Sequence, residues 1–568
     1  MSETPTLFVR RASGLVRTVG PFTAFMIVFT HTVGGGIHKL AIIAAYQHPD
    51  AFVPFSFLVT GILAMIPTAL VYTMLGSMMP RTGGDYIFIT RGLSPALGFL
   101  ASWGFWFTEV LSYGIIAWYS IDFFVSAATA AGIAMNSEAW LARAQWMAST
   151  EGHWVLGLLF VIVFGAIALF GMKIYGWIIN ILGVIAIIGC LSNLLILGAW
   201  GGNTVAGWNS IYGPGAYEKI VEEAFRLGIQ NGDLPVAAFT WGGTMKASIG
   251  AIWAYIGIVS AVFVGGELKT PATSLLVAQV VGTLVIIAYY IALPFMVYGA
   301  WKVPESVIPA DGLAYLRANG IPTDRVYFTA LYAYLMDKLG ADGVAQLLGV
   351  PSSWLLPHKV ITSFTIPLVP KGMEWLQVLN GTLVGIILLK DIPAFFVVAS
   401  RMVFAWAFDR FFPEIFASVN ERFHSPHWAI ILTMIGGIVG VWLTAQGDWA
   451  AAADTTNLYQ FAVMMASLAA AVLPFLRSDL YEKAPYKWEI GGIPILSIIG
   501  AYAFAVNFFF FFVATHEIFY YFGGFRLMIA LHQAFWMGLG AFIFMGFLAY
   551  NQRRGIDVRT IYTEIPPA

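Results

Sequence analysis

Charged residues are scarce in this sequence of 568 residues. Asp, Glu, Lys and Arg make up 10% of it, whereas hydrophobic residues make up 59% and aromatic residues 16%. A soluble domain carries about a quarter of its residues as charged ones, so the composition excludes an ordinary soluble protein and indicates a polytopic protein embedded in a lipid bilayer. The formal net charge of −1 provides no basic field, so no nucleic-acid partner is expected.

Cysteine is nearly absent as well. Cys190, inside an apolar run, is the only cysteine, which excludes an intrachain disulfide and a cysteine-rich metal site. The phosphate-binding pattern Gly-x-x-x-x-Gly-Lys-Ser/Thr does not occur, and the connections between apolar runs carry no nucleophile beside a base and no ligands at metal-binding spacing. We therefore expect no enzyme, no cofactor and no metal, and a source of energy that is a gradient or an exchange.

Long hydrophobic runs account for most of the chain. Because about twenty apolar residues make one crossing, the sequence predicts an all-α membrane protein whose twelve spans lie near residues 21–46, 53–78, 95–129, 154–171, 174–200, 248–267, 275–300, 373–408, 428–446, 455–476, 493–516 and 527–550. The first run is too long for the hydrophobic region of a signal peptide and is interpreted as a retained span. Twelve crossings place both termini on one side.

Positive charge indicates which side that is. With the termini inside, the short outer connections hold only Arg143 and Arg526. The short inner connections and the tails hold Arg10, Arg11, Arg17, Arg81, Arg91, Lys173, Lys269, Arg410, Arg422, Arg477, Lys483, Lys487, Arg553, Arg554 and Arg559. Since Lys and Arg accumulate in short cytoplasmic loops, we predict a multi-pass protein of the cell membrane with both termini in the cytoplasm.

Two outer connections are long, residues 201–247 and 301–372. The second contains an amphipathic pattern over residues 327–348 that predicts a helix. We interpret both connections as lids or packing covers. Their charges do not count against the orientation, because long loops cross the membrane largely regardless of charge.

The first span is interrupted near the middle of the bilayer by three glycines, Gly34, Gly35 and Gly36. Each glycine costs roughly 1 kcal/mol in a helix interior relative to alanine, so the chain can unwind here. Unpaired backbone groups in hydrocarbon are tolerated only where they line a cavity or meet a ligand, which favours a binding site. The alternative is that the glycines only allow another helix to approach closely.

A second interruption is predicted in the sixth span. Residues 253–260 place Gly257 near mid-membrane, and Gly265 and Gly266 follow. The first and sixth spans are five crossings apart and run in opposite directions, as in transporters built from two inverted halves. The predicted division is a tail over residues 1–20, a first repeat over 21–200, an outer loop over 201–247, a second repeat over 248–476, two extra spans over 477–550 and a tail over 551–568.

An ordered set of motifs resembles the amino acid, polyamine and organocation (APC) superfamily of amino acid permeases. The motifs are Val33-Gly34-Gly35-Gly36-Ile37 in the first span, Pro80-Arg81-Thr82-Gly83-Gly84-Asp85-Tyr86 after the second, Trp253-Ala254-Tyr255-Ile256-Gly257 in the sixth, Glu267-Leu268-Lys269-Thr270-Pro271 after it, Asp409-Arg410-Phe411-Phe412-Pro413 after the eighth and Pro485-Tyr486-Lys487 before the eleventh. The resemblance implies two inverted five-helix repeats plus two further helices. It also implies alternating access to an amino acid or related amine, in a monomer or homodimer.

The resemblance further implies a substrate site. The substrate carboxylate would lie on the amides of Gly34, Gly35 and Gly36, and its amino group would meet carbonyls of the break before Gly257. The expected substrate contacts in this break are Trp253, Ala254, Ile256 and Gly257, with Trp253 as an aromatic gate. Thr108 and Glu109 on the third span and Asp391 and Phe395 on the eighth are expected to face the substrate as well. The candidates for coupling or ion binding are Glu109, Lys39, Lys390, Asp391 and His31. Relatives that exchange arginine for its decarboxylated product carry an acidic residue two positions after the glycine, whereas this chain has Val259. A sensor with the same fold, which would bind without transport, is the alternative function.

Several ionisable residues fall at membrane depth, where each costs roughly 2.5 to 3.5 kcal/mol on insertion scales and therefore needs a partner or a function. They are His31, His38, Lys39, Glu109, Asp122, Lys390 and Asp391. Glu109 is interpreted either as the ligand of a cationic group or carrier of a coupling proton, or as a buried carboxylate satisfied by Lys39 or by hydroxyls.

Lys390 and Asp391 allow two interpretations. By the resemblance they lie where sodium-coupled relatives hold an ion, and the lysine could replace that ion with its own charge. The alternative is a local ion pair beside a kink at Pro393. His31 is either a proton relay or a neutral, hydrogen-bonded histidine.

Overall fold

Transmembrane helices dominate the structure, a computed structural model that describes residues 13–446, 455–520, 525–556 and 562–565. In the described part of the chain, the strands are one short antiparallel pair, Glu489–Ile490 with Ile493–Pro494. Twelve helices are long and apolar enough to cross a membrane, which confirms the predicted all-α polytopic fold. The predicted basic residues Arg10, Arg11 and Arg559 lie outside the described residues.

The twelve spans are named TM1 to TM12 in chain order. Their bounds are Pro21–Gln47, Val53–Met78, Pro95–Ala134, Thr150–Ala168, Met172–Tyr212, Trp241–Phe263, Pro271–Ala300, Glu374–Phe408, His427–Ala445, Thr456–Leu476, Ile495–Tyr520 and Leu527–Arg553. TM6 begins at Trp241 and not near residue 248, because the Thr240 side chain caps its first turn by accepting a 2.8 Å hydrogen bond from the Gly243 amide. Polar caps extend helices beyond the apolar window that a hydropathy argument detects.

Both predicted interruptions are present. TM1 consists of a helix over Pro21–Thr32, a π-helical turn over Gly36–Leu40 and a helix over Ala41–Gln47. TM6 changes from an α-helix over Trp241–Tyr255 to a 3₁₀-helix over Ile256–Phe263. Such changes of helix type often mark functional positions.

Further irregular turns lie in TM2 and TM7, which the sequence analysis did not anticipate. TM2 contains a π-helical turn over Thr60–Met65 and TM7 contains one over Leu276–Val281. TM2 and TM7 are five spans apart, as TM1 and TM6 are. The division of the chain into two repeats stays a prediction.

The α-helical parts of these spans and the remaining α-helices have the following bounds. Within TM2, TM5, TM7 and TM8 they are Val53–Val59, Ile66–Met78, Met172–Trp200, Thr204–Tyr212, Pro271–Leu275, Gly282–Ala300, Glu374–Leu389 and Asp391–Phe408. Outside the spans they are Asp85–Gly92, Glu138–Ala148, Ala216–Asn231, Ala310–Ala318, Phe328–Leu348, Thr362–Thr365 and Ser478–Tyr481. Short 3₁₀ turns lie at Gly201–Asn203, Gly265–Glu267, Glu305–Val307, Thr323–Arg325, Ser352–Trp354, Ile366–Leu368 and Glu414–Ala417.

The two long connections fold together into one helical cover. The ring of Tyr217, from the first connection, stacks on Phe328, from the second, with centroids 4.1 Å apart. Trp208 and Trp301 join this aromatic cluster and are fully buried. The amphipathic pattern over residues 327–348 is confirmed as the helix Phe328–Leu348. Burial of these large rings holds the two connections together.

The burial of the spans separates the centre from the periphery. The most apolar window of TM1 is entirely buried inside the protein, whereas only 17% of the corresponding window of TM12 is buried. TM12 exposes large apolar side chains such as Phe542, as expected of a surface in contact with lipid. TM1, with its glycines, therefore lies at the core of the bundle.

Candidate functional site

The interruptions of TM1 and TM6 meet each other. A methyl group added at Gly36 would overlap the Cα of Ala254, and one added at Gly257 would overlap the backbone of His31. Each break therefore needs its glycine because the other helix passes directly against it. The close approach of another helix is confirmed for the TM1 glycines, and the binding site that the interruption favours stays a prediction.

The Lys390–Asp391 ion pair lies beside the TM1 break. The Lys390 ammonium donates to the Thr30 carbonyl at 3.0 Å, to the Val33 carbonyl at 2.7 Å and to the Asp391 carboxylate at 2.5 Å. Both side chains of the pair are buried. A methyl group at Gly34 would overlap the Asp391 carboxylate, so the carboxylate lies directly against the first glycine. The carbonyls that the break releases are thus bound by an ammonium group from TM8.

A second buried pair joins TM1 to TM3. The Nε2 atom of His31 lies 3.1 Å from the Glu109 carboxylate, and both side chains are fully buried. The contact is not aligned as a hydrogen bond, and among the described residues neither the two ring nitrogens nor the two carboxylate oxygens have a hydrogen-bond partner. Buried polar groups are rarely left in this state. The pair therefore has the capacity to take up a proton or a donor group.

Lys39 is not the partner of Glu109, so that alternative from the sequence was wrong. Its ammonium lies 3.2 Å from Asp122 and 2.9 Å from the centroid of the Tyr119 ring. The other Asp122 oxygen lies 3.2 Å from Nε2 of His153. The error arose because sequence spacing places Lys39 on TM1 and Glu109 on TM3 at membrane depth but does not say which side of its own helix each residue faces.

Three other predicted residues also have partners. The Thr108 hydroxyl donates to the Thr455 carbonyl at 2.9 Å and thus faces the start of TM10. The Phe395 ring packs edge-on against His31 with centroids 4.2 Å apart. His38 makes 2.8 Å hydrogen bonds through both ring nitrogens, to the Gly34 carbonyl and the Tyr289 hydroxyl. His38 therefore serves to fix the unwound turn.

A small cavity adjoins the break. It is lined by Gly35, Lys39, Leu40, Ile115, Ile116, Tyr119, Trp253 and Leu388. Of the predicted substrate contacts, Gly35 and Trp253 line this cavity, whereas Thr108, Glu109 and Phe395 do not. The lining residues of TM3 lie about two helical turns beyond Glu109. They were missed because apolar residues on an apolar span carry no sequence signal.

On the side of the termini, several contacts join the ends of the spans. There, the Val19 amide donates to the Glu267 carbonyl at 3.0 Å, and the Lys269 amide donates to the Val19 carbonyl at 2.9 Å. Arg401 binds the Glu267 carboxylate with two hydrogen bonds of 3.0 and 3.2 Å. Arg91 binds Asp409 in the same way at 2.6 and 3.1 Å. These contacts tie TM1, TM6 and TM8 together below the break.

Arg401 and Asp85 are two of the buried charges that were not predicted as candidates. Arg401 was overlooked although it is a charged residue within the eighth predicted span, which is itself a signal. Asp85, fully buried at the start of the helix Asp85–Gly92, accepts a 3.4 Å hydrogen bond from the Tyr72 hydroxyl. Among the described residues, no group of three or more His, Cys, Asp or Glu side chains is arranged to hold a metal ion.

A family comparison accords with this geometry. The family described as "Amino acid permease" matches residues 19–348 and 359–549, which include both breaks, both buried pairs and the cavity. The chain belongs to the amino acid permease family. The resemblance to APC-superfamily permeases is confirmed, and the sensor alternative is not favoured. The permease transports amino acids.

Individual relatives of the permease are distant. It is 22% identical over 423 residues to the arginine/agmatine antiporter of Chlamydia trachomatis serovar L2 (strain ATCC VR-902B / DSM 19102 / 434/Bu), covering 72% of this chain and 67% of that protein. It is 24% identical over 333 residues to the serine/threonine exchanger SteT of Bacillus subtilis (strain 168), covering 58% and 64%. It is 25% identical over 288 residues to the arginine/agmatine antiporter of Chlamydia pneumoniae, covering 50% and 53%.

Proposed function

We propose that the permease is a secondary active transporter of the cell membrane that carries an amino acid or related amine by alternating access and has no enzymatic activity. Both termini would lie in the cytoplasm. The observation that carries the proposal is the close contact of two interrupted helices, Gly36 with Ala254 and Gly257 with His31. The cavity beside them at Gly35 and Trp253 measures about 10 Å³, room for one water, so the helices would have to move apart there to admit an amino acid. Interrupted helices offer free backbone groups and helix ends to a charged substrate.

The proposed substrate position follows from what the break leaves open. The Asp391 carboxylate already lies against Gly34, and Ala254 lies against Gly36. Gly35 is the glycine that lines the cavity, so the substrate carboxylate is proposed to lie beside it. The Gly35 amide already bonds to the Asp391 carboxylate, so the substrate would share or displace that contact. The amino group would meet backbone carbonyls of the TM6 break around Trp253 and Ile256.

We further propose that Glu109 and His31 carry the coupling proton. A buried carboxylate beside an imidazole, with no hydrogen bond among the described residues to satisfy either one, can change its protonation state when the surrounding helices move. Sodium coupling is disfavoured because the Lys390 ammonium already binds the Thr30 and Val33 carbonyls. Oxygen atoms of this kind are the ligands a hard cation would need.

Exchange is the second mode of transport that the comparisons support. The three relatives are described as antiporters or as an exchanger. An identity of 22 to 25% is too low to assign a relative's substrate to this chain. The compounds in the relatives' names, arginine, agmatine, serine and threonine, are still the first ones to test.

The test is uptake into liposomes that contain the purified full-length protein. Radiolabelled L-arginine, agmatine, L-serine and L-threonine are offered first, followed by the other amino acids, to vesicles that are empty or preloaded with the same unlabelled compound. We expect uptake of at least one compound above protein-free vesicles. Stimulation by preloading would show exchange, and accumulation in empty vesicles under a proton gradient would show coupled uptake.

Two tryptophan substitutions, one at the cavity and one at the surface, form a test with its matched control. Trp253→Ala removes a ring that lines the cavity, and we expect at least a tenfold loss of transport efficiency, because a buried aromatic contact contributes about 2 kcal/mol or more. Trp375→Ala, at a ring that is 63% exposed on the surface of TM8, should retain uptake. Binding without flux under every gradient would contradict the proposal and indicate a sensor.

A further inference from the structure

A second, larger cavity lies between the two long connections, the second half of TM1 and Tyr119 of TM3. Its volume is about 580 Å³, and its lining includes Lys39, Asp233, Tyr334, Asp337, Lys338 and Lys359. We call this cavity the outer vestibule. Both signs of charge face it, unlike the small cavity beside the TM1 break, whose lining is mostly apolar.

The charges of the outer vestibule form two loose ion pairs. Lys338 lies 2.6 Å from Asp233, and Lys359 lies 3.7 Å from Asp337. The four side chains are between 36% and 43% exposed, so water screens each pair and little free energy opposes its separation. Such pairs can open to accept charged groups of a ligand.

Both carboxylates of the outer vestibule are ionised near neutral pH. Hydrogen bonding to His358 lowers the pKa of Asp337, and hydrogen bonds from Lys338 and Tyr334 lower the pKa of Asp233. The vestibule thus presents ammonium groups and carboxylates within one concave surface.

The outer vestibule leads to the centre of the protein. Lys39 and Tyr119 line both cavities, so they form the floor of the larger one and the roof of the smaller one. The Lys39 ammonium is held there by Asp122 and the Tyr119 ring. A solute that moves from the outer vestibule to Gly35 and Trp253 must pass this ammonium group.

We propose that the outer vestibule is a second binding site that takes a zwitterionic α-amino acid from solution before it reaches the central cavity. Asp337 binds the ammonium group, Lys359 binds the carboxylate, and Lys39 receives the carboxylate as the solute moves inwards. An α-amino acid carries its two charges only a few ångströms apart, which suits the 3.7 Å spacing of Asp337 and Lys359. An amine without a carboxylate makes only half of these contacts. The site rests on the proposed function for its place in a transport path, but its occupancy can be measured without transport.

Thiol labelling tests occupancy directly. Lys338→Cys places a thiol in the vestibule wall, while Cys190 is buried, so the unsubstituted protein gives the background. The reagent is a membrane-impermeant methanethiosulfonate, and the probes are L-serine, L-arginine and agmatine. We expect L-serine and L-arginine to slow labelling of Lys338→Cys, and agmatine to slow it much less. Lys371→Cys, an exposed position outside the vestibule, should be labelled at the same rate with every probe.

Kinetics provide the second measurement. Asp337→Asn and Lys359→Gln should each raise the KM for uptake by about two- to fivefold, the range expected for an exposed charge pair, and leave the maximal rate unchanged. The increase should shrink at high salt, because added ions screen exposed charges. The controls are Asp342→Asn and Lys371→Gln, which change exposed charges outside the vestibule and should leave the KM unchanged.

Thiol labelling and uptake kinetics together distinguish the proposed vestibule site from the proposed transport function. Slowed labelling without uptake would support the vestibule site and contradict the proposed transport. Uptake with an unchanged KM in both vestibule variants, together with labelling that neither amino acid slows, would overturn the vestibule site and leave the transport function standing. Equal slowing at Lys338→Cys and Lys371→Cys would also overturn it.

Discussion

The ion pairs on the two faces of the permease differ in how deeply they are buried. On the face of the termini, Arg91 and Asp409 form a pair whose side chains are 0% and 1% exposed, and Arg401 binds Glu267 in a similarly buried setting. On the opposite face, the Lys338 and Asp233 side chains are 41% and 39% exposed. Breaking a buried pair costs about 3 to 5 kcal/mol, whereas an exposed pair contributes about 0.2 to 1 kcal/mol.

This difference describes a state that is closed towards the termini and accessible from the side of the long connections. Under the proposed alternating access, the buried arginine pairs would separate while the exposed pairs close over the substrate. The buried pairs would then set the barrier to opening on one face, and the exposed pairs would affect the approach of the substrate on the other. The following predictions test this asymmetry, from the largest expected effect to the smallest.

The largest effect is expected at the buried arginine of TM8. Arg401→Gln leaves the Glu267 carboxylate buried without its guanidinium partner, and the expected loss is about 3 to 5 kcal/mol. Thermal unfolding in detergent should begin at a clearly lower temperature, and uptake should fall. The double variant Arg401→Gln with Glu267→Gln should recover part of the stability. Unchanged melting and uptake in Arg401→Gln would contradict the importance of this pair.

The next effect concerns the ion pair beside the TM1 break. Lys390→Met removes the ammonium group from two backbone carbonyls and from Asp391, and we expect at least a tenfold loss of uptake because a buried carboxylate is left unpaired. The oxygens left behind suit a hard cation, so added sodium should raise the residual uptake of this variant and not that of the wild type. Lys371→Met, at an exposed position, is the control. Full activity in Lys390→Met would refute the assigned role.

A smaller effect is expected where the two breaks touch. Gly36→Ala places a methyl group onto the Cα of Ala254, and overpacking of this kind costs about 1 to 3 kcal/mol. Uptake and melting temperature should both fall. Gly299→Ala, on TM7, adds a methyl group with no heavy atom within 4 Å and should change neither. Equal behaviour of the two variants would show that the close approach of TM1 and TM6 does not matter.

The smallest effect is expected on the open face. Asp233→Asn removes an exposed partner of Lys338, and stability should change by about 1 kcal/mol or less. The pKa of Asp233 is lowered in the folded protein by hydrogen bonds from Lys338 and Tyr334. Its contribution is therefore present above the pKa of the unfolded chain and is lost as the pH falls through the folded pKa. Melting curves of wild type and Asp233→Asn should converge in acid, and a gap that widens in acid would contradict this sign.

The sequence predicted the membrane spans and the two breaks because hydropathy and glycine are local signals. The twelve spans agree with the structure in number and order, although TM5 extends to Tyr212 and TM6 begins at Trp241. The residues predicted at the breaks include Gly35 and Trp253, which line the cavity. Rotation about the helix axes was the main source of error. Depth along a span is readable from spacing, but the direction of each side chain depends on packing between spans far apart in sequence.

The partners of the buried charges could not be predicted from the sequence for the same reason. The sequence identified His31, Lys39, Glu109 and Asp122 as intramembrane charges, but it offered Lys39 as a partner for Glu109. The structure pairs Glu109 with His31 and Lys39 with Asp122. Partners 78 and 83 residues apart are joined only when TM1 and TM3 pack. No single-sequence signal specifies that packing.

The most direct test of the account is the effect of ion gradients on the initial rate of uptake. Vesicles with the wild-type protein, Glu109→Gln or Trp375→Ala receive the transported compound under an inward proton gradient, an inward sodium gradient or neither. We predict that the proton gradient accelerates wild type and Trp375→Ala, that sodium does not, and that Glu109→Gln loses the acceleration but retains exchange with preloaded substrate. Sodium-driven uptake by the wild type, or an undiminished proton response in Glu109→Gln, would contradict the claim that the buried pair beside the broken helices carries the coupling proton.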